Sequence, residues 1–600
     1  MTRPPGTALR PVRRRLVPLA LTACVSVIAA GGCAAIPASG PVRSLAQPQN
    51  QVAQGGDFPQ LIPAPPGKNW TATQIVSGFL AANASFAPGN PVARKYLAPH
   101  QIWNPGRAVT VVSHTKLTSA VLPQHLITDT QTKAVKVSGQ QLATLTSAGQ
   151  YLIPSPSTKQ AAAITLKLMK VNGQWRIVDP PQRRLLSKSA FLRVYQPRNL
   201  YFFGAGGVLV PDPVFVPLQA TTTGLATDLV EALRQRPLSY LSGVTKTDLP
   251  RRTTLVGQVK IEGPGAIVNL AGPVTQAGPA EIAGIAAQLV WTLTSSSYGS
   301  QTIKWVKLEV NGRLPGVPGA AAGIELPDKY SGLVPRPSAR GGLYFIGTDG
   351  AVQVLPPSAA APPGPVHGQA GTGQVPMTSI AVSPASPRSI AGIGAGGRVV
   401  DFGPLAKGAA LRSWRPGGRI TSLSWDARGD LWVVAGNAIW LRRPGQPPVA
   451  IDNTTQLRPG GRVTALRIAP DGIRIAMIVR GNGGSQLEIG AVTLGPKSTA
   501  SIGQLAPVGA GTPDPAALNW YNADNLLVLA RPAGSRVRLE EVPVSGGEPT
   551  HIAAEPGTIS LATAGSQIVA GLRNGRLVTL SGLSGSWEPL FSGEAPAYAG

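Results

Sequence analysis

Thr378-Ser379-Ile380-Ala381-Val382, Thr421-Ser422-Leu423-Ser424-Trp425, Thr464-Ala465-Leu466-Arg467-Ile468, Ala516-Ala517-Leu518-Asn519-Trp520 and Ile559-Ser560-Leu561-Ala562-Thr563 are five versions of one phrase. Their central residues Ile380, Leu423, Leu466, Leu518 and Leu561 stand 43, 43, 52 and 43 residues apart. A beat near 43 with strand-like alternation is that of a β-propeller blade, about 40 to 45 residues long. A two-sheet sandwich would enforce no such beat. After the phrases, Asp426-Ala427-Arg428-Gly429 and Ala469-Pro470-Asp471-Gly472 are turns leading into second strands. Residues 542–548 read as the outer edge of a blade. The strand at 342–346 is expected to close the ring with a C-terminal strand at 577–581, giving five or six blades over residues 341–600.

The phrases resemble TolB-like propeller repeats. Before them, beyond a linker at 319–340, residues 191–318 read as a second folded unit. Its expected order is a strand (200–203), a loop carrying Val210-Pro211-Asp212-Pro213, a helix (225–233), a segment at 238–250, strands (255–261 and 266–270), a helix (279–294) and a strand (303–310) ending in Asn311-Gly312. This order, with Leu229-Val230-Glu231-Ala232-Leu233, Trp291-Thr292-Leu293-Thr294 and Leu308-Glu309-Val310, resembles the GerMN domain of spore-germination and cell-envelope proteins. The resemblance implies protein or wall contact and no catalytic residues. Residues 69–190 begin with Ile75, Phe79 and Ala82 at helical spacing behind a Thr71 cap with Gln74 three residues on. Strand-like runs follow at 109–112, 134–137, 162–171 and, after the turn Asn172-Gly173, at 175–178. A helix followed by a curled antiparallel sheet resembles the NTF2-like α+β cone. The expected fold is therefore multidomain: two small α+β domains, NTF2-like and GerMN-like, then an all-β propeller of five or six blades.

The first 32 residues read as a signal peptide. Arg3, Arg10, Arg13, Arg14 and Arg15 precede an uncharged apolar stretch at 16–30, too short for a span of about 20 residues. Ala30-Gly31-Gly32-Cys33 follows and resembles a bacterial lipobox, although Ala30 stands where Leu is usual. The resemblance implies cleavage between Gly32 and Cys33, a diacylglyceryl group on the Cys33 sulfur and an N-acyl group (palmitate in the usual case). The only other cysteine, Cys24, leaves with the signal, so the exported chain has no partner for a disulfide and no Cys-ligated zinc site. Residues 33–68, rich in Pro, Gly and Gln without periodicity, read as a tether.

The whole chain has 54 Lys and Arg against 27 Asp and Glu, a net charge of +27. Removal of the five signal arginines leaves +22. Because export separates the chain from the chromosome, nucleic acid is not the expected partner. The charge suits anionic headgroups or wall polymers, or reflects Arg-rich coding. The sequence offers no cofactor, metal or catalytic site. Gly392-Ile393-Gly394-Ala395-Gly396-Gly397 matches GxGxxG but runs on into a strand, so it reads as a blade turn. His100, His114, His125, His367 and His551 are isolated and expected at the surface or in the core. Arg183-Arg184, Arg251-Arg252 and Arg442-Arg443 are expected to be solvated surface pairs. No GxSxG elbow or P-loop occurs.

Lipobox, tether with Ile36-Pro37 and Ser39-Gly40-Pro41-Val42, cone, GerMN-like unit and propeller, in that order, resemble the lipoprotein LpqB family of high-GC Gram-positive bacteria. That resemblance implies an accessory lipoprotein on the extracytoplasmic face of the cell membrane. It would contact the ectodomain of the sensor kinase MtrB and tune the MtrA–MtrB two-component system in cell-wall homeostasis and division. The alternative is a wall-binding or envelope-assembly scaffold, for which the basic charge would hold anionic polymers.

Overall fold

A computed structural model describes residues 63–600 except 85–89, 105–107, 121–131, 155–160, 220, 236, 238, 296, 299–300, 316–322, 336–340, 358–360, 452–456, 458–459, 496–498 and 583–584. The chain opens with the helix Ala72–Asn83, started by a capping box in which Thr71 accepts from the Gln74 amide and the Gln74 side chain accepts from the Thr71 amide. Its buried stripe of Ile75, Val76, Phe79 and Ala82 packs on a sheet whose long strand Thr132–Leu145 pairs with Lys116–Ala120, Val109–Val112 and Ala161–Val171, the last in turn pairing with Gln174–Val178. Arg184–Ser187 adds a parallel strand beside Val109–Val112. The sheet was expected; this parallel strand and Lys116–Ala120 were not.

Tyr195–Phe203 and Leu209–Pro217 form a nine-rung antiparallel hairpin. The expected loop at 210–213 is thus a strand. Its prolines, Pro211 and Pro213, sit two residues apart, and a two-stranded ribbon leaves every second N–H facing away from the partner, where a proline loses no ladder bond. Behind the hairpin lie the helices Thr222–Leu233 and Pro279–Thr294 and a sheet in the order Thr254–Leu255, Gly265–Ala271, Trp305–Val310, Ile324–Glu325, with Lys260–Glu262 also on Gly265–Ala271. The strand expected at 255–261 is broken in two at Gly257, whose φ is +71°. The helix at 279–294 begins and ends where its pattern places it, with Pro279 in the first turn and Glu281 bonded back to the Gly278 amide.

From Leu343 onward the described residues form six four-stranded blades, with one added strand, Ala506–Val508, in the fourth. The five phrases are innermost strands: Met377–Val382, Ile420–Trp425, Arg462–Ile468, Pro515–Trp520 and Thr558–Ala564. Each ladder slips by one residue at the same place, beside Thr378, Thr421, Thr464, Ala516 and Ile559. A bulge there sharpens the twist that each blade needs, and the hydroxyls of Thr378 and Thr464 bond the carbonyls of Ile393 and Ile478. That is the physical content of the leading Thr. The longer interval of 52 is taken up by the long strand Gly484–Leu494 and the extra strand that pairs with it. The glycine-rich match at 392–397 is a hairpin turn with Gly396 and Gly397 at positive φ, as expected of a blade.

Ring closure differs from expectation. Arg576–Leu580 is the third strand of the sixth blade, and the latch is Glu594–Ala597, the innermost strand of the first blade, beside Leu343–Ile346. Closing a blade with strands from both ends of the propeller removes the exposed edges of an open ring.

Candidate functional site

The hairpin Tyr195–Phe203/Leu209–Pro217 is the spine that joins the three domains. At one end Tyr195 and Phe215 pack with Phe191 into the cluster of Val109, Val111, Ala143 and Leu145 from the first domain, and the Phe215 amide donates to the Gly149 carbonyl at 2.7 Å. In the middle, Leu200 and Phe202 enter the core formed with Leu229, Leu233, Ile285 and Leu289. At the other end Val210, with Tyr240 and Leu241, is buried against Ala469, Ile473, Ile489 and Val542 of the propeller. Gly204 approaches the propeller so closely that a Cβ there would lie 2.8 Å from the Ile473 side chain. Lys188 and Glu548 add an ion pair between the first domain and the fifth blade.

A buried charge cluster sits at this junction. Arg474, 2% exposed, donates from Nε to the Asp471 carboxylate at 2.6 Å and from Nη1 to the Ala523 carbonyl at 2.6 Å, and lies 4.8 Å from the Trp520 ring centroid. Asp471 is itself held in the turn by the amides of Ile473 and Arg474. Burial alone would lower the Arg474 pKa, but Asp471, Tyr240 and Asp524 outweigh it and raise the value. From the spine, Asp212 faces the same charge. Burial pushes its carboxyl up to about 8 although Arg474 pulls it down, so it carries its proton at neutral pH. The Tyr240 phenol is likewise pushed up by burial.

Asp212 should therefore make stability depend on pH. An unfolded Asp titrates near 3.9, so between about pH 4 and pH 8 the folded chain binds the extra proton and stability falls as pH rises, by at most about 1.4 kcal/mol per unit. Asp212→Asn removes that slope. Denaturation midpoints from pH 5 to pH 8 should fall less steeply in the variant; parallel profiles would refute a neutral Asp212.

Beside the spine an open groove of about 700 Å³ is lined by Phe203, the loop Gly204 to Gly207, Gly243 to Lys246, Asp248 and one face of the helix Pro279–Thr294. The helix contributes Ala280, Ala283, Gly284 and Ala287. A Cβ on Gly284 would meet the Asp248 carboxylate at 1.9 Å, so glycine is what admits that side chain. Lys246 pairs with Asp248 at 3.8 Å, and burial raises the Asp248 pKa against Lys246 and with Glu281. At the far wall Tyr330 donates to Glu325, which is fully buried and also bonded by Lys329. The groove has apolar walls and one accessible ion pair, a surface suited to holding a partner.

In the propeller channel Arg467 bonds Ser422 Oγ, the carbonyls of Leu423 and Leu466, and Asn519 Oδ1, while Asn519 donates to the Leu561 carbonyl. One side chain thus bridges three adjacent innermost strands, and burial lowers its pKa to about 10. Residues Pro596 to Gly600 line the same cavity.

Sequence reasoning missed the junction and the groove, whose members lie far apart in the chain. Arg467 was missed as well, although a signal was present, since the other phrases carry Ala381, Ser424, Asn519 and Ala562 at its position. Among the histidines, His100, His114, His367 and His551 are exposed, and His125 lies outside the described residues. So do Gly32 and Cys33. The arginine pairs divide. Arg251 and Arg252 are exposed. Arg184, expected in solvent, is buried, because its strand lies inside the first domain beside Val109–Val112. Arg442 stacks 4.0 Å from the Phe402 centroid, and Arg443 ties Asp430 to the carbonyls of Gly495 and Thr499, so this pair staples blades together. No His, Cys, Asp and Glu cluster suited to a metal, and no helix long and apolar enough to cross a membrane, occurs among the described residues.

Family models match three stretches: the lipoprotein LpqB N-terminal domain at 65–192, a sporulation and spore germination domain at 199–314, and the lipoprotein LpqB β-propeller domain at 358–599. The chain belongs to the lipoprotein LpqB family. The lipoprotein LpqB of Thermobifida fusca (strain YX) is 29% identical over 98% of this chain and 99% of that one. Lipoprotein LpqB of Streptomyces coelicolor is 27% identical over 98% of each. Among solved structures, TolB from Acinetobacter baumannii is similar at a TM-score of 0.34 and 17% identity over 43% of this chain and 66% of that one. LpqB membership makes this chain kin to lipoproteins along nearly its whole length.

Proposed function

We propose that this LpqB-family chain is anchored through lipid on Cys33 to the extracytoplasmic face of the cell membrane, where it binds the ectodomain of an MtrB-like sensor kinase and tunes its signalling in envelope homeostasis and division. The observation that carries the reading is the shared spine. Groove and propeller are held at a fixed spacing by one buried hairpin, as a docking body requires. Lipid anchoring confines that body to a thin layer beside the kinase and raises its effective concentration. Modulation then needs only tighter binding to one kinase state than to the other.

The test is titration of residues 34–600 against the purified kinase ectodomain at two salt concentrations. Saturable binding that survives the higher salt is expected. Absence of binding at both would refute direct docking. Binding instead to isolated wall, strongly weakened by salt, would replace this reading with the wall scaffold.

A further inference from the structure

Charge is spread unevenly along the chain. Residues 69–190 hold thirteen Lys and Arg against two carboxylates, Asp129 and Asp179, a net +11; the 410 residues that follow hold thirty-four against twenty-four, a net +10. Within 132–178 there is no acid at all.

The ladders gather much of this charge on one surface. Lys116 pairs with Ser138, Lys136 lies between Thr118 and Thr165, Lys167 pairs with Ala134, and Arg176 pairs with Met169. With side chains alternating along a strand, these registers put Lys116, Lys136, Lys167 and Arg176 on the same face of the sheet. The opposite face carries Val135, Val137, Leu166, Leu168 and Ile177, buried against the helix Ala72–Asn83. Lys116 and Lys136 are exposed, Lys167 and Arg176 half-buried, and Met169 among them is 42% exposed. None of the four cations is ion-paired with a carboxylate of the described residues.

We propose that this sheet face lies on the anionic phospholipid surface of the membrane to which the chain is anchored, an inference that rests on the lipid anchor of the reading above. The occupant follows from charge and reach. The twenty-nine residues between Cys33 and Pro63 span at most about 110 Å even when fully extended, and the first domain follows them directly, so its leash to the bilayer is the shortest of the three. Screening limits the attraction to about 8 Å at physiological salt, so the charges that count are those on one presentable face. Each Lys or Arg brought to an anionic surface contributes about 1 kcal/mol, and Met169, beside Arg176, adds an apolar contact. Because the hairpin spine fixes the domains relative to one another, a docked sheet also sets how the groove and propeller face a neighbouring membrane protein.

The test uses the chain from Cys33 to Gly600 with Cys33→Ser, so that no acyl chain contributes, and vesicles of phosphatidylglycerol mixed with phosphatidylcholine or of phosphatidylcholine alone. Salt-sensitive sedimentation with the anionic vesicles only is expected. Lys116→Gln with Lys136→Gln and Lys167→Gln should reduce partitioning about a hundredfold, the product of three losses of about 1 kcal/mol. Arg251→Gln with Arg415→Gln and Arg573→Gln removes the same charge from exposed sites elsewhere and should leave partitioning within about twofold. Equal losses in both triple variants, binding to neutral vesicles as strong as to anionic ones, or no vesicle binding at low salt would overturn the proposal. So would preferential binding to isolated wall that the sheet variant abolishes. Failure of the anchor itself is read separately, as release of the acylatable chain from cell membranes by high salt, and does not alter the vesicle result.

Discussion

Deleting residues 593–600 is expected to open the propeller and abolish its cooperative melting, with protease cleavage appearing first in the strands Leu343–Ile346 and Val352–Leu355. Glu594–Ala597 is the inner strand of the first blade. Its loss strips Leu343–Ile346 of its partner at Tyr344 and Ile346, and removes Ala595, Ala597 and Ala599 from the cluster of Tyr344, Ile346, Met377, Ile380 and Val382. The bonds from Gly593 to Gly575 and from Gly600 to Val382, which tie the latch to the sixth and second blades, go with it. Two blade edges would then face solvent with unpaired backbone groups, the state from which sheets aggregate. Ala597→Glu is the graded version. It puts a carboxylate into that cluster without shortening the chain, and should lower the melting temperature while leaving a single transition. A truncated chain that melts as sharply and as high as the intact one would show that the ring does not depend on its latch.

The latch also shows where sequence reading stops. Five inner strands were legible because each repeats the same chemistry: a bulged residue, then a large buried residue, then an alternating partner. The sixth is Glu594-Ala595-Pro596-Ala597, built of small residues. Its surroundings explain why: Pro596 packs against Gly571, and a Cβ on Gly593 would lie 2.6 Å from the Phe345 ring. Space at the end of the ring selects residues that leave no strand pattern. The strand Leu209–Pro217 was hidden for a related reason, since its prolines are harmless only on the free edge of a two-stranded ribbon, and edge status is a tertiary fact. By contrast the helix Pro279–Thr294 carries its own start signals and a long run broken only by Gln288 and Thr292 between Ile282 and Leu293, and was readable to the residue. The candidate site was barely legible. Asp212, Tyr240 and Arg474 meet across some 260 residues, and none stands in a local pattern that distinguishes it from a surface residue. The basic sheet face is intermediate: a bare stretch without acids is visible in the sequence, but only the strand registers collect Lys116, Lys136 and Lys167 on one side.

Arg474→Ala is expected to destabilise the chain by about 3–5 kcal/mol, the usual consequence of removing one member of a buried ion pair. The variant strands the Asp471 carboxylate, whose Oδ2 loses the Arg474 Nε–H, leaves the Ala523 carbonyl without the guanidinium, and empties the space over Trp520. Removing the positive charge also lifts the one influence that lowers the Asp212 pKa, so Asp212 should hold its proton to higher pH still. Asp471→Asn with Arg474→Met separates charge from packing. The pair of changes leaves no isolated ion and keeps most of the volume, so it should cost less than Arg474→Ala alone, a coupling that a double-mutant cycle reads directly. Denaturant midpoints of the two single variants and the double supply the measurement. Additive losses would mean that the two side chains act independently and that the junction is held by its apolar contacts of Val210, Tyr240 and Leu241 alone. A double variant more stable than the unaltered chain would place the ion pair among those that fix the docking of the hairpin against the propeller at some expense of stability.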